Sequence, residues 1–151
     1  TGSMDSPTSI ERLAGYKDAL AQHSIALNEK LIANGKWTPA SGAEGVETLL
    51  ERGAKFSALV ASNDDMAIGA MKALHERGVA VPEQVSVIGF DDIAIAPYTV
   101  PALSSVKIPV TEMIQEIIGR LIFMLDGGDF SPPKTFSGKL IRRDSLIAPS
   151  R

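Results

Sequence analysis

No cysteine occurs among the 151 residues, which removes at once a disulfide scaffold, a thiolate metal site and a cysteine nucleophile. Such a chain is compatible with a reducing cytoplasm. Neither sign of charge dominates: the formal net charge is -3, and the basic residues are dispersed. No field of the kind that holds a phosphate backbone can form, so this polypeptide by itself is a poor ligand for nucleic acid, and the pair Arg142-Arg143 is too short to change that. Long apolar runs are missing too. The most apolar segment, "MIQEIIGRLIFML", is interrupted by Gln115, Glu116 and Arg120, and no stretch approaches the roughly 20 residues of a membrane span. The N-terminus lacks the basic and apolar blocks of a signal peptide. "TGSMDSPTS" begins abruptly, as though in the middle of something longer.

What is present is an ordinary globular composition, 44% hydrophobic and 22% charged, at a length sufficient for one domain with a core. Thr8 and Glu11 form a T-x-x-E capping box ahead of an amphipathic pattern running to about Ala21, which predicts an opening helix. "EKLIANG" reads as a short strand. "KWTPASGAEG" reads as a turn-rich loop carrying the only tryptophan, Trp37. A second capping box, Ser41 with Glu44, predicts a helix over "EGVETLLERG" closed by Gly53. "FSALVAS" and "VSVIGF" are continuous apolar runs of strand length, as in strands buried on both faces of a parallel sheet. Between them "DDMAIGAMKALHERG" has an acidic start that suits the helix macrodipole and a stop at Gly78. "DDIAIAPYTVPAL" is a loop or irregular helix, "SSVKI" a third strand, and Pro109 opens a long helix from Val110 to Leu125, ended by Gly127 and Gly128. "FSGKLIRRDSL" suits an edge strand. The order is βαβαβ, so the expected fold class is α/β with a parallel, helix-covered sheet.

In open sheets of this kind ligands bind beyond the carboxyl ends of the strands. Two apolar strands run out there into "SNDD" and "GFDD", and three chemistries fit those endings. They can be helix caps and turn formers only. They can be an acidic pocket for magnesium, as in a phosphoacceptor domain, with Lys107 supplying a phosphate-binding cation. Or their carboxylates and amide can take vicinal sugar hydroxyls in pairs. Arg12 offers a planar fork that bridges neighbouring hydroxyl oxygens, for which a magnesium pocket has no use. Trp37, in a Gly- and Pro-flanked loop, can stack on the apolar face of a pyranose ring. Against these stand the commoner roles of a helix arginine as a solvated surface residue and of a lone tryptophan as a core-edge cover. His23 and His75 fall at predicted helix termini with no nucleophile motif beside them, and no catalytic step is expected.

The strings "RLAGYKDAL", "NDDMAIGAM", "VSVIGFDD" and "LIRRDSLIAPS", in this order and spacing, resemble the effector-binding core of the lactose-repressor and galactose-repressor family of bacterial transcription factors, nearly from end to end. Within that family the chain is most similar to repressors of enterobacterial β-glucoside operons. The resemblance implies a periplasmic-binding-protein-like core of two lobes closing on a sugar or glycoside, with no cofactor and no metal. A helix-turn-helix, absent from this chain, would precede it and carry the contact with operator DNA. By resemblance the effector is held by Arg12, Trp37, Asn63 and Asp91, with Asp64 and Asp92 in capping or supporting places behind them. Ile108 and Val110 depart from the polar or aromatic residues some relatives use, which leaves the sugar open.

The resemblance also implies a cytoplasmic homodimer, joined through Met66, Ala67, Ala70, Met71 and Leu74 on one helix and through Ile95 and Tyr98 in the following loop. The stripe can also pack on its own sheet, and both roles hold if the helix is apolar around more than one face. Residues 1-151 would then be the C-terminal part of the sugar-sensing core, with 134-147 a terminal strand and tail. The helix at about 110-126 would pack on an N-terminal lobe outside the chain, so its apolar side (Met113, Ile117, Leu121, Met124) would otherwise lack a partner. A periplasmic sugar-binding protein feeding a transporter shares this fold and is the nearest alternative function.

Overall fold

The structure, a computed structural model, describes residues 1–130, 132 and 134–148; Pro149 and Ser150, at the end of the family-like C-terminal string, lie outside them. Its architecture is α/β. Four helices, α1 (Pro7–Gln22), α2 (Pro39–Glu51), α3 (Asp64–Glu76) and α4 (Val110–Leu125), accompany four strands, β1 (Ala58–Val60), β2 (Ser86–Asp91), β3 (Ser104–Lys107) and β4 (Lys139–Ile141). The sheet order is β1-β2-β3-β4, with β1, β2 and β3 parallel and β4 antiparallel to β3. The parallel crossover from β1 to β2 carries α3, as the βαβ rule requires.

The N-caps of α1 and α2 lie two and three residues before the expected ones, for local reasons. Pro7 occupies the first turn of α1 and Ser6 is its N-cap. Proline lacks the N–H that would be unsatisfied there and fixes a helical φ, so Thr8 lies inside the helix and its box with Glu11 does not form. At α2 the box is Thr38 with Ser41, not Ser41 with Glu44: Ser41 N donates to Thr38 Oγ1 at 3.2 Å and Thr38 N to Ser41 Oγ at 3.3 Å. Seven of the ten residues of the expected loop "KWTPASGAEG" are therefore helix. Gly53 and Gly78 follow α2 and α3 at φ +64° and +70°, the left-handed ending that glycine adopts without strain.

Two strand expectations fail. "EKLIANG" gives a 3-10 turn at Glu29–Leu31 and, among the described residues, no ladder. The other failure concerns "FSALVAS", which is not buried on both faces: β1 is the first strand of the sheet and its Val60 is 64% exposed. β2 is the strand whose sequence and burial agree.

The core lies between α2, α3 and β2. Leu74, Val87 and Leu103 are fully buried at its centre, with Val46, Met66, Ala67, Ala70 and Met71 around them. The helices approach closely because both carry glycine at the crossing. A Cβ on Gly42 would lie 2.1 Å from the Met66 carbonyl oxygen, and one on Gly69 would lie 1.8 Å from that of Pro39. The small residues of α3 thus admit α2 of the same chain. Met66, Ala67, Ala70, Met71 and Leu74 are all buried in this core of the single chain. Ile95 and Tyr98, of the loop after β2, are instead 51% and 77% exposed.

α4 has the expected bounds but buries none of its residues, and Ile117, Leu121 and Met124 lie exposed along it. Among the described residues no helix is long and apolar enough to cross a membrane.

Candidate functional site at the strand ends

The carboxyl ends of β1 and β2 bring the four sequence-predicted residues together. Asn63 follows β1 by three residues and caps α3, its Oδ1 accepting from Met66 N at 2.9 Å. Its Nδ2 donates to the Trp37 carbonyl oxygen at 3.1 Å. The amide therefore ties the Trp37 loop to the sheet, and one N–H and one lone pair are left for a further partner. Asp91 ends β2 opposite Lys107 at φ +107°, and Asp92 follows at φ +56°. Two successive non-glycine residues in that region turn the chain sharply out of the sheet.

Arg12, from α1, crosses to both. Its guanidinium donates to the Ser62 carbonyl, stands 3.5 Å from Asp91 Oδ1 and lies over two aromatic rings, 3.9 Å from the Phe90 centroid and 5.4 Å from that of Trp37. Such stacking holds the planar fork in one orientation at little entropic cost. Trp37 is itself in the left-handed region, at φ +65°. Its indole rests on Gly2, where a Cβ would come within 2.4 Å of the ring.

Phe90 and the Ser62 carbonyl were not among the expected site residues. The signal for Phe90 was available in strand alternation: a Cβ on Gly89 would point at Asp64 of α3, so its neighbour Phe90 must point to the opposite face, where α1 arrives.

The acidic residues do not converge. The fully buried Asp64 accepts from Ser105 Oγ at 2.6 Å and from Ile93 N at 2.8 Å. Asp92 pairs with Arg143 Nη2 at 2.7 Å and more distantly with Lys107 Nζ at 3.9 Å. Asp91 faces Arg12. Among the described residues no group of three or more His, Cys, Asp or Glu forms a candidate metal ligand set. Asp64, Asp91 and Asp92 are thus each engaged by a different protein partner.

Burial pushes the Asp64 carboxyl above its ordinary value against the hydrogen bonds of Ser105 and Ile93. Burial likewise raises Asp91, more than the Arg12 charge lowers it. An incompletely compensated carboxylate beside a guanidinium fork and two aromatic rings can accept paired hydroxyls and cover an apolar ring face.

A family model for the periplasmic binding protein-like domain matches residues 1–146. The chain is 99% identical over 151 residues to the HTH-type transcriptional regulator AscG of Escherichia coli (strain K12), covering 100% of this chain and 45% of that protein. Among solved structures it is similar to the transcriptional regulator CelR in complex with cellobiose, at 31% identity and a TM-score of 0.90 over 97% of this chain and 45% of that one. It is also similar to the lac repressor dimer bound to operator and the anti-inducer ONPF, at 29% identity and a TM-score of 0.89 over 97% of this chain and 51% of that one. The chain spans about half the length of the proteins it matches.

Proposed function

The chain belongs to the periplasmic binding protein-like domain family, in the branch that contains the lactose-type repressors, and from that premise we propose that it is the effector-binding region of a sugar-responsive transcriptional repressor. The observation that carries this reading is the Arg12 guanidinium, stacked on Phe90 and directed at Asp91 where two parallel strands end. A fork, a carboxylate and an indole around one crevice are a sugar-binding inventory, and Asn63 adds an amide. The effector class is a β-glucoside such as cellobiose, salicin or arbutin, in keeping with the cellobiose named for one similar regulator.

On this reading a second lobe closes the crevice from above, and the exposed apolar side of α4 is the surface that lobe covers. An upstream helix-turn-helix reads operator DNA in the cytoplasm. Two copies associate through the exposed Ile95 and Tyr98 loop, the twofold arrangement that a palindromic operator requires. Sugar that prefers the closed arrangement shifts operator affinity by its differential binding alone, without a catalytic step.

The test is thermal unfolding of the full-length regulator against a panel of monosaccharides and β-glucosides, with Asp91→Ala alongside. A ligand that binds the native state raises the midpoint in a concentration-dependent way. A shift with one sugar class that Asp91→Ala abolishes is the expected result. Absence of a shift with every sugar in the panel overturns the reading.

A further inference from the structure

The carboxylate of Asp64 is fully buried and touches no crevice, yet it is bonded to both corners of the site. It stands directly after Asn63 as the first residue of α3. Its Oδ2 accepts from the N–H of Ile93, just past Asp91 and Asp92, at 2.8 Å. Its Oδ1 accepts from Ser105 Oγ on β3 at 2.6 Å, and that hydroxyl oxygen accepts in turn from Asp92 N at 3.0 Å. The two N–H groups that follow Asp91 are thus held, directly or through one hydroxyl, by a single side chain of the neighbouring strand-to-helix turn.

Two features show that the backbone around this carboxylate is closely fitted to it. Asp91 and Asp92 both sit at positive φ, a conformation that non-glycine residues rarely adopt and that persists where the surroundings fix it. And β2 carries Gly89 where any side chain would collide with the carboxylate, since a Cβ there would lie 2.1 Å from Asp64 Oδ1. A buried acid that served only the dipole of α3 would need neither the glycine nor the serine.

We infer that Asp64 is a positioning residue of the sugar site: through Ile93 N–H, Ser105 and Asp92 N–H it fixes the direction in which Asp91 leaves the sheet, relative to the adjacent Asn63. This rests on the proposed sugar-binding function and deepens it. Asp64→Ala removes both acceptors. Asp64→Asn keeps an oxygen for Ile93 N–H and can donate to Ser105 Oγ, so it is the conservative rescue. Ser105→Ala removes one arm and leaves the start of α3 intact.

The experiment is calorimetric titration of the full-length regulator and these variants with cellobiose and salicin, beside operator binding in the absence of sugar. Loss of hydrogen bonds to a charged group predicts a sugar Kd weakened about tenfold or more in Asp64→Ala and several-fold in Ser105→Ala. Asp64→Asn stays within about threefold of the unsubstituted protein, and operator affinity is unchanged throughout. If Asp64→Ala does not fold, Ser105→Ala against Asp64→Asn decides. Sugar and operator affinity falling in parallel, or folded variants that bind sugar like the parent, overturns the inference alone. A parent protein that binds neither sugar in the titration nor any in the wider panel overturns the functional reading and this inference with it.

Discussion

The guanidinium carbon of Arg12 lies 3.9 Å from the centroid of the Phe90 ring, so a residue of α1 is oriented by the strand that supplies Asp91. Lysine at position 12 keeps the charge but loses the planar fork and most of the stacking. Arg12→Lys in the full-length regulator is therefore expected to weaken β-glucoside binding by about 10- to 100-fold, in line with one or two lost charge-assisted hydrogen bonds. Phe90→Leu, which keeps an apolar surface, is expected to cost several-fold. Titration calorimetry checks both, and an Arg12→Lys protein with parental affinity would remove Arg12 from the site.

The crossing of α2 on α3 has no room for a methyl group at Gly69, where the nearest atom to a Cβ would be the Pro39 carbonyl oxygen at 1.8 Å. Backbone cannot turn aside as a side chain does. Gly69→Ala is expected to lower stability by about 1–3 kcal/mol, the usual range for overpacking, even though alanine is the better helix former. Chemical denaturation measures it.

Leu74 and Tyr98 separate the core from the loop surface. Leu74 is fully buried, and Leu74→Ala is expected to destabilise by about 2–5 kcal/mol. Tyr98→Ala, at an exposed position, is expected to leave the unfolding midpoint near the parental value while weakening self-association, as read by sedimentation at falling concentration. A dimer unaffected by Tyr98→Ala would move the interface elsewhere.

Asp91 carries a pH signature. Its carboxyl is raised above its ordinary value of 3.8 by burial, with Arg12 opposing, so the folded protein binds this proton more tightly than the unfolded chain does. The stabilising contribution is full below the ordinary value and is lost as pH rises through the raised one. Asp91→Asn should accordingly have a higher unfolding midpoint than the parent at neutral pH, with the difference shrinking as pH falls toward 3.8, while sugar binding is lost at every pH. A midpoint below the parent's at neutral pH would mean that the Arg12 contact outweighs the burial.

The order of elements was legible because its signals are local. Apolar runs, capping residues and the glycines at 53 and 78 act over a few neighbours, and they located α2, α3, α4, β2 and β3 within a few residues. Arg12, Trp37, Asn63 and Asp91 could be named as a group, and the structure brings these four together. Boundaries slipped where two local signals competed, as Pro7 with Thr8 and Thr38 with Ser41.

The sequence by itself determined the α/β class, the ending of two neighbouring strands in polar residues and the lack of any thiol chemistry. The tertiary structure alone decided which partner each of those residues takes. An apolar stripe on α3 is the same pattern whatever it packs on, and only the close approach at Gly42 and Gly69 shows that it meets α2. An apolar run reads alike at a sheet's edge and at its centre, so the exposure of Val60 was hidden in "FSALVAS". Three aspartates of identical type are given different surroundings by Ser105, Arg143 and Arg12, which lie 41, 51 and 79 residues away along the chain from Asp64, Asp92 and Asp91 respectively. Periodicity reports the face of an element; contacts across such separations exist only once the elements have packed.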